Sequence, residues 1–401
     1  MKTILNLLPG VCLAMAAYAQ PSSIHDVFTF PCSTSGPGAN CPEGAKPDGI
    51  IRASDGNFYG VSEGPLVYGG NGGTIFKITA AGQLTVLYTF TTDKTTGMYD
   101  NGQAPVTIVE ASDGLLYGAA SIGGTTSASS GTLWRIHKDG TGFAVLQRYC
   151  TSCTTGSFPN YIMSASDGNL YGTTGYGGSF TATVCQGLGC GVVFRLTTSG
   201  AYTVLHAFNG TTDTYNPDGI TQASDGNFYG ATSNEGTGAI FRITSSGAFT
   251  ILHTFPTSTY SLAPLTQASN GLLYGFSHLV SAGTIEFFSC SLTGSFQNIN
   301  QITQPLFKQF GVGKLLQATD GNLWTSTAYG GTSNFGRVFS ITLSGTILDS
   351  INFSGTNGGF ATGGLIQATD GTLWGTTTQR GTVSSGVAEG VIFTVSGLPP
   401  K

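Results

Sequence analysis

The sequence predicts an all-β protein, a seven-bladed β-propeller with four antiparallel strands per blade, its ring closed by an N-terminal strand that completes the last blade. Three observations carry that prediction. One turn motif recurs seven times, a common order of strand-like runs surrounds it, and the two chain ends hold complementary parts of one repeat.

The motif is Ser/Thr-Asp-Gly followed by any residue, an apolar residue and an aromatic, as in Asp55-Gly56-Asn57-Phe58-Tyr59. Further copies begin at Asp113, Asp167, Asp225, Asn270, Asp320 and Asp370, at steps of 58, 54, 58, 45, 50 and 50 residues. A period in that range is the mark of propeller blades or solenoid units. Asp-Gly or Asn-Gly between two strand-like runs predicts a two-residue type I′ hairpin, with positive φ at both central residues. Strand A precedes the turn (Ile50-Ile51-Arg52-Ala53) and strand B follows it (Phe58-Tyr59-Gly60-Val61). Strand C is Thr74-Ile75-Phe76-Lys77-Ile78, echoed by Leu133-Trp134-Arg135-Ile136, Val193-Phe194-Arg195-Leu196 and Ile240-Phe241-Arg242-Ile243. A short glycine turn such as Ala81-Gly82 leads to strand D over residues 85–90. Four strands per repeat make one blade. Val27-Phe28-Thr29-Phe30 reads as a strand D with no A, B or C before it, whereas the last repeat stops after strand C at Val395. Pairing the two closes the ring and covers edges that would otherwise recruit other chains.

Composition excludes several functional classes. The chain has 401 residues, of which 61 are glycine, 40% are hydrophobic and 11% aromatic, enough to bury a large core. Only 9% are charged and the formal net charge is -5, against a usual ~25% charged. A disordered polyelectrolyte, a coiled coil and a nucleic-acid binder built on basic surface are all disfavoured.

The first segment reads as an export signal. Met1-Lys2, an apolar run from Ile4 to Ala17 and the small-x-small triplet Ala17-Tyr18-Ala19 predict a signal peptide over residues 1–19,. Residues 20–401 then form a single propeller domain. The apolar run is too short to span a bilayer, and no later stretch reaches that length. Six of the remaining cysteines lie in close pairs, Cys32 with Cys41, Cys150 with Cys153 and Cys185 with Cys190. In an exported chain these are expected to be local disulfides. Cys290 is left over and reads as a small buried residue.

Tandem Ser-Asp-Gly-Asn-Phe-Tyr-Gly, Gly-Gly, Gly-Thr-Ile-Phe-Lys-Ile-Thr and Thr-Val-Leu-Tyr-Thr-Phe segments resemble the GloVer repeat of choice-of-anchor bacterial surface proteins, over nearly all of the mature chain. That resemblance implies an exported bacterial propeller. Asp320-Gly321-Asn322-Leu323-Trp324 and Asp370-Gly371-Thr372-Leu373-Trp374 also look like repeats of streptogramin lyases and of sensor-kinase periplasmic propellers. The lyase repeats carry a Glu after the aromatic, where this chain has Ser62, Ala120, Thr174, Thr232, Ser277, Thr327 and Thr377.

Turns alternate between the two ends of a blade, so A–B and C–D turns share one face of the ring and B–C and D–A loops the other. The first face is uniform. The second differs in every blade and carries all three cysteine pairs, the pattern of a binding surface on a rigid scaffold. Its candidate ligand-binding residues are Tyr68, Tyr176 and Tyr329, each followed by Gly-Gly, together with Glu63. Exposed aromatic platforms suit sugars or peptides. His278 and Glu286, both in repeat five, are the candidates for an acid/base pair,. The turn acids are accounted for by turn geometry, and no metal or cofactor is expected. The sequence therefore predicts a monomeric exported module that binds a glycan or an extracellular protein through its loop face. A propeller lyase or glycan-active hydrolase, or a structural cell-surface module, are the alternatives.

Overall fold

The computed structural model of the chain describes residues 23–34, 40–64, 72–91, 99–124, 130–232, 238–261, 263–279, 284–302 and 311–398. They form seven antiparallel sheets in which spatial order follows chain order. Blade 1 consists of Pro47–Arg52, Phe58–Ser62, Thr74–Ile78 and Leu84–Thr89, strands A to D from the axis outward. Blade 5 departs from the pattern, because its strand A is split into Thr259–Ser261 and Thr266–Gln267, both paired with Leu273–Leu279. In blade 7 the N-terminal strand Ile24–Cys32 lies antiparallel to Val387–Val395, with Ile24 opposite Val395 and Cys32 opposite Val387. The ring is closed as the chain ends predict.

The A–B turn is not the type I′ hairpin expected. Of its central residues only the glycine has positive φ, 82° at Gly56. Gly56 N–H donates to the Ala53 carbonyl at 3.0 Å and Ala53 N–H to the Asn57 carbonyl at 2.9 Å. The serine thus belongs to the loop, which has three residues, a type I turn closed by a glycine bulge. Asp55 acts through its side chain instead. Its carboxylate accepts the Asn57 N–H at 3.1 Å and the Tyr59 hydroxyl at 2.7 Å. The same bond recurs from Tyr117 to Asp113, Tyr171 to Asp167 and Tyr229 to Asp225, and Trp324 Nε1–H donates to Asp320 at 3.0 Å. At Asn270 the amide donates to Tyr274 at 2.9 Å. Burial opposes ionisation of Asp55, yet the hydrogen bonds from Asn57 and Tyr59 hold its carboxyl below its ordinary range.

The core is divided into wedges between neighbouring blades. One joins Tyr59, Val61 and Ile75 of blade 1 to Ile108, Leu116 and Trp134 of blade 2. Another joins Phe58 and Phe76 to Ala368, Trp374 and Ile392 across the closure, where Phe58 stacks on Trp374 at 3.9 Å. Farther out, Tyr88, His206 and His253 each stack at 3.8 Å on Phe143, Phe249 and Phe296 of the next blade. Polar bonds run along the turn face. Backbone N–H groups of Ser166, Ser224, Ser269 and Thr319 donate to the side-chain oxygens of Gln222, Gln267, Gln317 and Gln367 in the following blade. Each glutamine returns its NH2 to its own turn glycine carbonyl, at 2.9 to 3.2 Å.

Strand B glycines set the blade thickness. A Cβ on Gly230 would overlap the Phe241 ring and lie 2.7 Å from the Gly219 carbonyl. Gly230→Ala is therefore expected to destabilise the chain by about 1–3 kcal/mol through overpacking. Adding Phe241→Leu to it should cost less than the two single changes summed, as read from urea midpoints; strict additivity would contradict the clash.

Candidate functional site

Strands A of all seven blades enclose an axial cavity of about 590 Å³. Its wall is aliphatic where Ile51, Val109, Met163 and Ile366 face it, and polar where Asp48, Thr107, Asn160, Tyr161, Asp218 and Lys314 do. Asp48, Asn160 and Asp218 stand near the start of their strands, at the end that carries the D–A and B–C loops. The polar part of the channel therefore opens toward the variable face.

In blades 1 to 4 one backbone device places these residues. Lys46, Ala104, Phe158 and Asn216 hold φ of 52°, 52°, 55° and 59°, and each precedes a proline, Pro47, Pro105, Pro159 or Pro217. A left-handed residue with a side chain is strained. The strain is tied down from the preceding blade, since the four N–H groups donate to the carbonyls of Glu389, Gly72, Ser130 and Cys190 at 2.7 to 2.9 Å. The prolines seat on Gly390, Gly73, Gly131 and Gly191 of that blade, where a Cβ would come within 2.5 to 2.7 Å of the ring. Immediately after each proline the pairing of strands A and B breaks at a bulge, over Asp48, Val106, Asn160 and Asp218-Gly219. A bulge re-aims the side chain it carries.

The channel side chains differ in their remaining capacity. Asn160 is committed, donating to the Pro217 carbonyl at 2.9 Å and accepting from Thr173 at 2.7 Å. Lys314 of blade 6 donates to the Tyr161 hydroxyl of blade 3 at 3.0 Å, across the channel. Among the described residues, the carboxylates of Asp48 and Asp218 accept no hydrogen bond and meet no cation within 4.0 Å. Burial pushes Asp48 up to about 8, with the negative charge of Glu63 adding to it. Burial alone raises Asp218 to about 6. Glu63 is also raised by burial, opposed by Lys46.

The residues singled out from sequence are distributed unevenly. Glu63 follows strand Phe58–Ser62, its N–H donates to the Lys46 carbonyl at 3.3 Å, and its negative charge acts on Asp48. Tyr176 is 36% exposed and edge-on to Phe158 at 5.6 Å. Tyr329 is half-buried and edge-on to Phe360 at 5.0 Å. Tyr68 lies outside the described residues. Cys32–Cys41, Cys150–Cys153 and Cys185–Cys190 are disulfide-bonded in loops of the variable face, and Cys290 is buried. His278 and Glu286 are not brought together. His278 pairs with Ile285 and Ser277 with Glu286, and successive residues of a strand face opposite ways. His278 shares its face with Phe276 and Ile285 toward blade 6, and Glu286 shares its face with Phe288 toward blade 4. Glu286 accepts instead from Gln301 at 3.1 Å.

Asp48, Asp218 and Lys314 were not among the residues that the sequence reading singled out. The signal of the two aspartates was the repeated Pro-Asp-Gly at 47–49 and 217–219, whose Asp lies seven residues before the turn acid; repeats two and three keep the proline but carry Val106 and Asn160 in that slot, and nothing local marks Lys314.

The family model for the Gloeobacter/Verrucomicrobia repeat matches residues 46–285, more than half of the chain. The chain belongs to this repeat family. No curated protein matches its sequence. Among solved structures, this Gloeobacter/Verrucomicrobia repeat propeller is similar to a virginiamycin B lyase from Staphylococcus aureus, with 17% identity over 88% of this chain and 96% of that one, TM-score 0.58. It is also similar to the periplasmic gluconolactonase of Pseudomonas aeruginosa, with 14% identity over 88% of each chain, TM-score 0.52. The third similarity is to the extracellular domain of a hybrid two component system from B. thetaiotaomicron, with 16% identity over 95% of this chain and 44% of that one, TM-score 0.56. At these identities the likeness is one of fold.

Two outcomes follow from the channel geometry. Replacing Ala104 by glycine relieves a left-handed alanine and should raise stability by roughly 0.5–1 kcal/mol; a loss of stability would show that the buried methyl and the freer unfolded chain outweigh the strain. The second concerns pH. An unfolded Asp titrates near 3.8, whereas folded Asp48 keeps its proton to about 8 and Asp218 to about 6. Over those intervals the folded chain binds more protons than the unfolded one, so this stability is full at low pH and is lost as pH rises through the folded values. Urea midpoints measured from about pH 5 to about pH 8.5 should fall less for Asp48→Asn/Asp218→Asn than for the parent.

Proposed function

We propose that this chain is an exported binding propeller that holds a glycan at the mouth of its axial channel, on the variable-loop face, and performs no chemistry on it. One observation carries the reading. In blades 1 to 4 equivalent bulges display Asp48, Val106, Asn160 and Asp218 into the channel, side chains that differ while the proline before each bulge and the glycine it covers repeat. Enclosed walls with a few convergent polar groups are the usual form of a small-ligand site. Carboxylates without protein partners are natural acceptors for sugar hydroxyls, and the exposed ring of Tyr176 and the half-buried ring of Tyr329 are aromatic surfaces of the kind that suits sugars,. Export is supported by the N-terminal segment, by three disulfides,, and by periplasmic and extracellular proteins among the similar structures.

An enzymatic reading is favoured by one feature, a carboxyl that stays protonated near neutrality beside a second carboxylate, Asp48 next to Glu63. That arrangement suits proton transfer. A glycan array followed by calorimetry of the hits separates the two. Binding without turnover is expected, with Asp48→Asn/Asp218→Asn and Tyr176→Ala/Tyr329→Ala each weakening it by about ten-fold or more. Turnover of a captured glycan would establish the enzyme. A blank array, or capture unaffected by all four substitutions, would remove the channel from the function.

A further inference from the structure

The unused bonding capacity of the channel narrows the class of glycan. Asn160 has both ends of its amide engaged. Lys314 spends one N–H on Tyr161 and keeps two others. The acceptors left over are the carboxylates of Asp48 and Asp218, and no described cation reaches either within 4.0 Å. The two are not equivalent. Glu63 is tied by its N–H to the Lys46 carbonyl at 3.3 Å, two residues before Asp48, so its negative charge acts on Asp48 while Lys46 offsets part of it; Asp218 in blade 4 has no second acid acting on it. A carboxylate withdrawn from water without a partner is costly, and a neighbouring like charge adds to the cost. A cation arriving with the ligand removes both penalties at once, and the blade 1 side gains most.

We propose that the channel takes a sugar bearing a free primary amine, with its ammonium on Asp48 beside Glu63 and its hydroxyls shared between Asp218 and Lys314. The assignment rests on the binding reading above and adds the chemistry of the ligand to it. An ammonium has donors only and so complements acceptors that have no protein donor. Charge-assisted bonds to a carboxylate are about twice as strong as neutral ones, so acetylation of the amine removes the preferred contact without changing the sugar ring. Ligand ammonium also favours the ionised form of Asp48, so in a buffer acidic enough to keep the free amine protonated, binding should release the Asp48 proton.

The test is calorimetry of the full mature chain with three probes: a glucosamine tetramer with free amines, its N-acetylated form, and a glucose tetramer of the same linkage. The amine-bearing tetramer is expected to bind about ten-fold or more tightly than the other two, with heats that differ between buffers of unlike ionisation enthalpy. Asp48→Asn should erase that preference. Asp218→Asn should weaken all three and leave their ratio in place. Equal affinity for the three probes overturns the amine assignment while leaving the glycan reading standing. Failure to bind the amine-bearing tetramer, with neutral sugars captured on the array, overturns it in the same way, and a blank array as well removes both.

Discussion

Everything in this ring rests on a glycine placed under an aromatic ring. In strand B of six blades a glycine faces the strand C aromatic, Gly60 under Phe76, Gly118 under Trp134, Gly172 under Phe194, Gly230 under Phe241, Gly275 under Phe288 and Gly375 under Phe393. With no Cβ beneath it, the ring can lie close against its own sheet, which leaves a surface for the next blade to pack on. Blade 6 has Thr325 opposite Phe339 and shows that one exception is accommodated. The aromatic of the turn motif completes the wedge from the other side, pinned by its bond to the turn carboxylate. Closure follows because every wedge is built to one thickness.

The two faces of the ring are then held by different means. On the turn face side-chain amides bridge blades, and between blades 1 and 2 an acid does so, with Glu110 accepting from Ser54 and paired to Lys138. Between blades 2 and 3 the glutamine slot is Ser164, and the links there run from the Ser112 hydroxyl to the Gly168 carbonyl at 3.4 Å and from the Tyr117 hydroxyl and the Arg135 guanidinium to the Thr198 carbonyl at 3.3 and 3.2 Å. On the loop face the backbone does the work in four blades, through strained residues, prolines and the glycines they cover. The second arrangement leaves the Asp48 and Asp218 carboxylates in the channel without a hydrogen-bond partner among the described residues.

Blade number, strand order and ring closure were legible because each depends on residues close in sequence or on a count. The local disulfides were legible for the same reason. The turn type was misread because Asp-Gly alone suggests two loop residues, and the serine before it proved to be the third. The channel was not legible as chemistry. Asp48 and Asp218 are separated by three blades, Lys314 and Tyr161 by 153 positions, and no local pattern announces that such residues meet on an axis. His278 and Glu286 illustrate the converse, since nearness within one repeat says nothing about which face of a sheet each side chain takes.

The proline-locked bulges have an evolutionary consequence. Each displays a side chain whose position is dictated by main chain and by the neighbouring blade, so Val106 and Asp48 occupy equivalent sockets although one is apolar and the other acidic. A socket of that kind accepts different occupants, because main chain and the neighbouring blade set its position. Blades 1 to 4 then read as a short alphabet written around part of an axis, in which one letter can change while the scaffold that displays it stays the same.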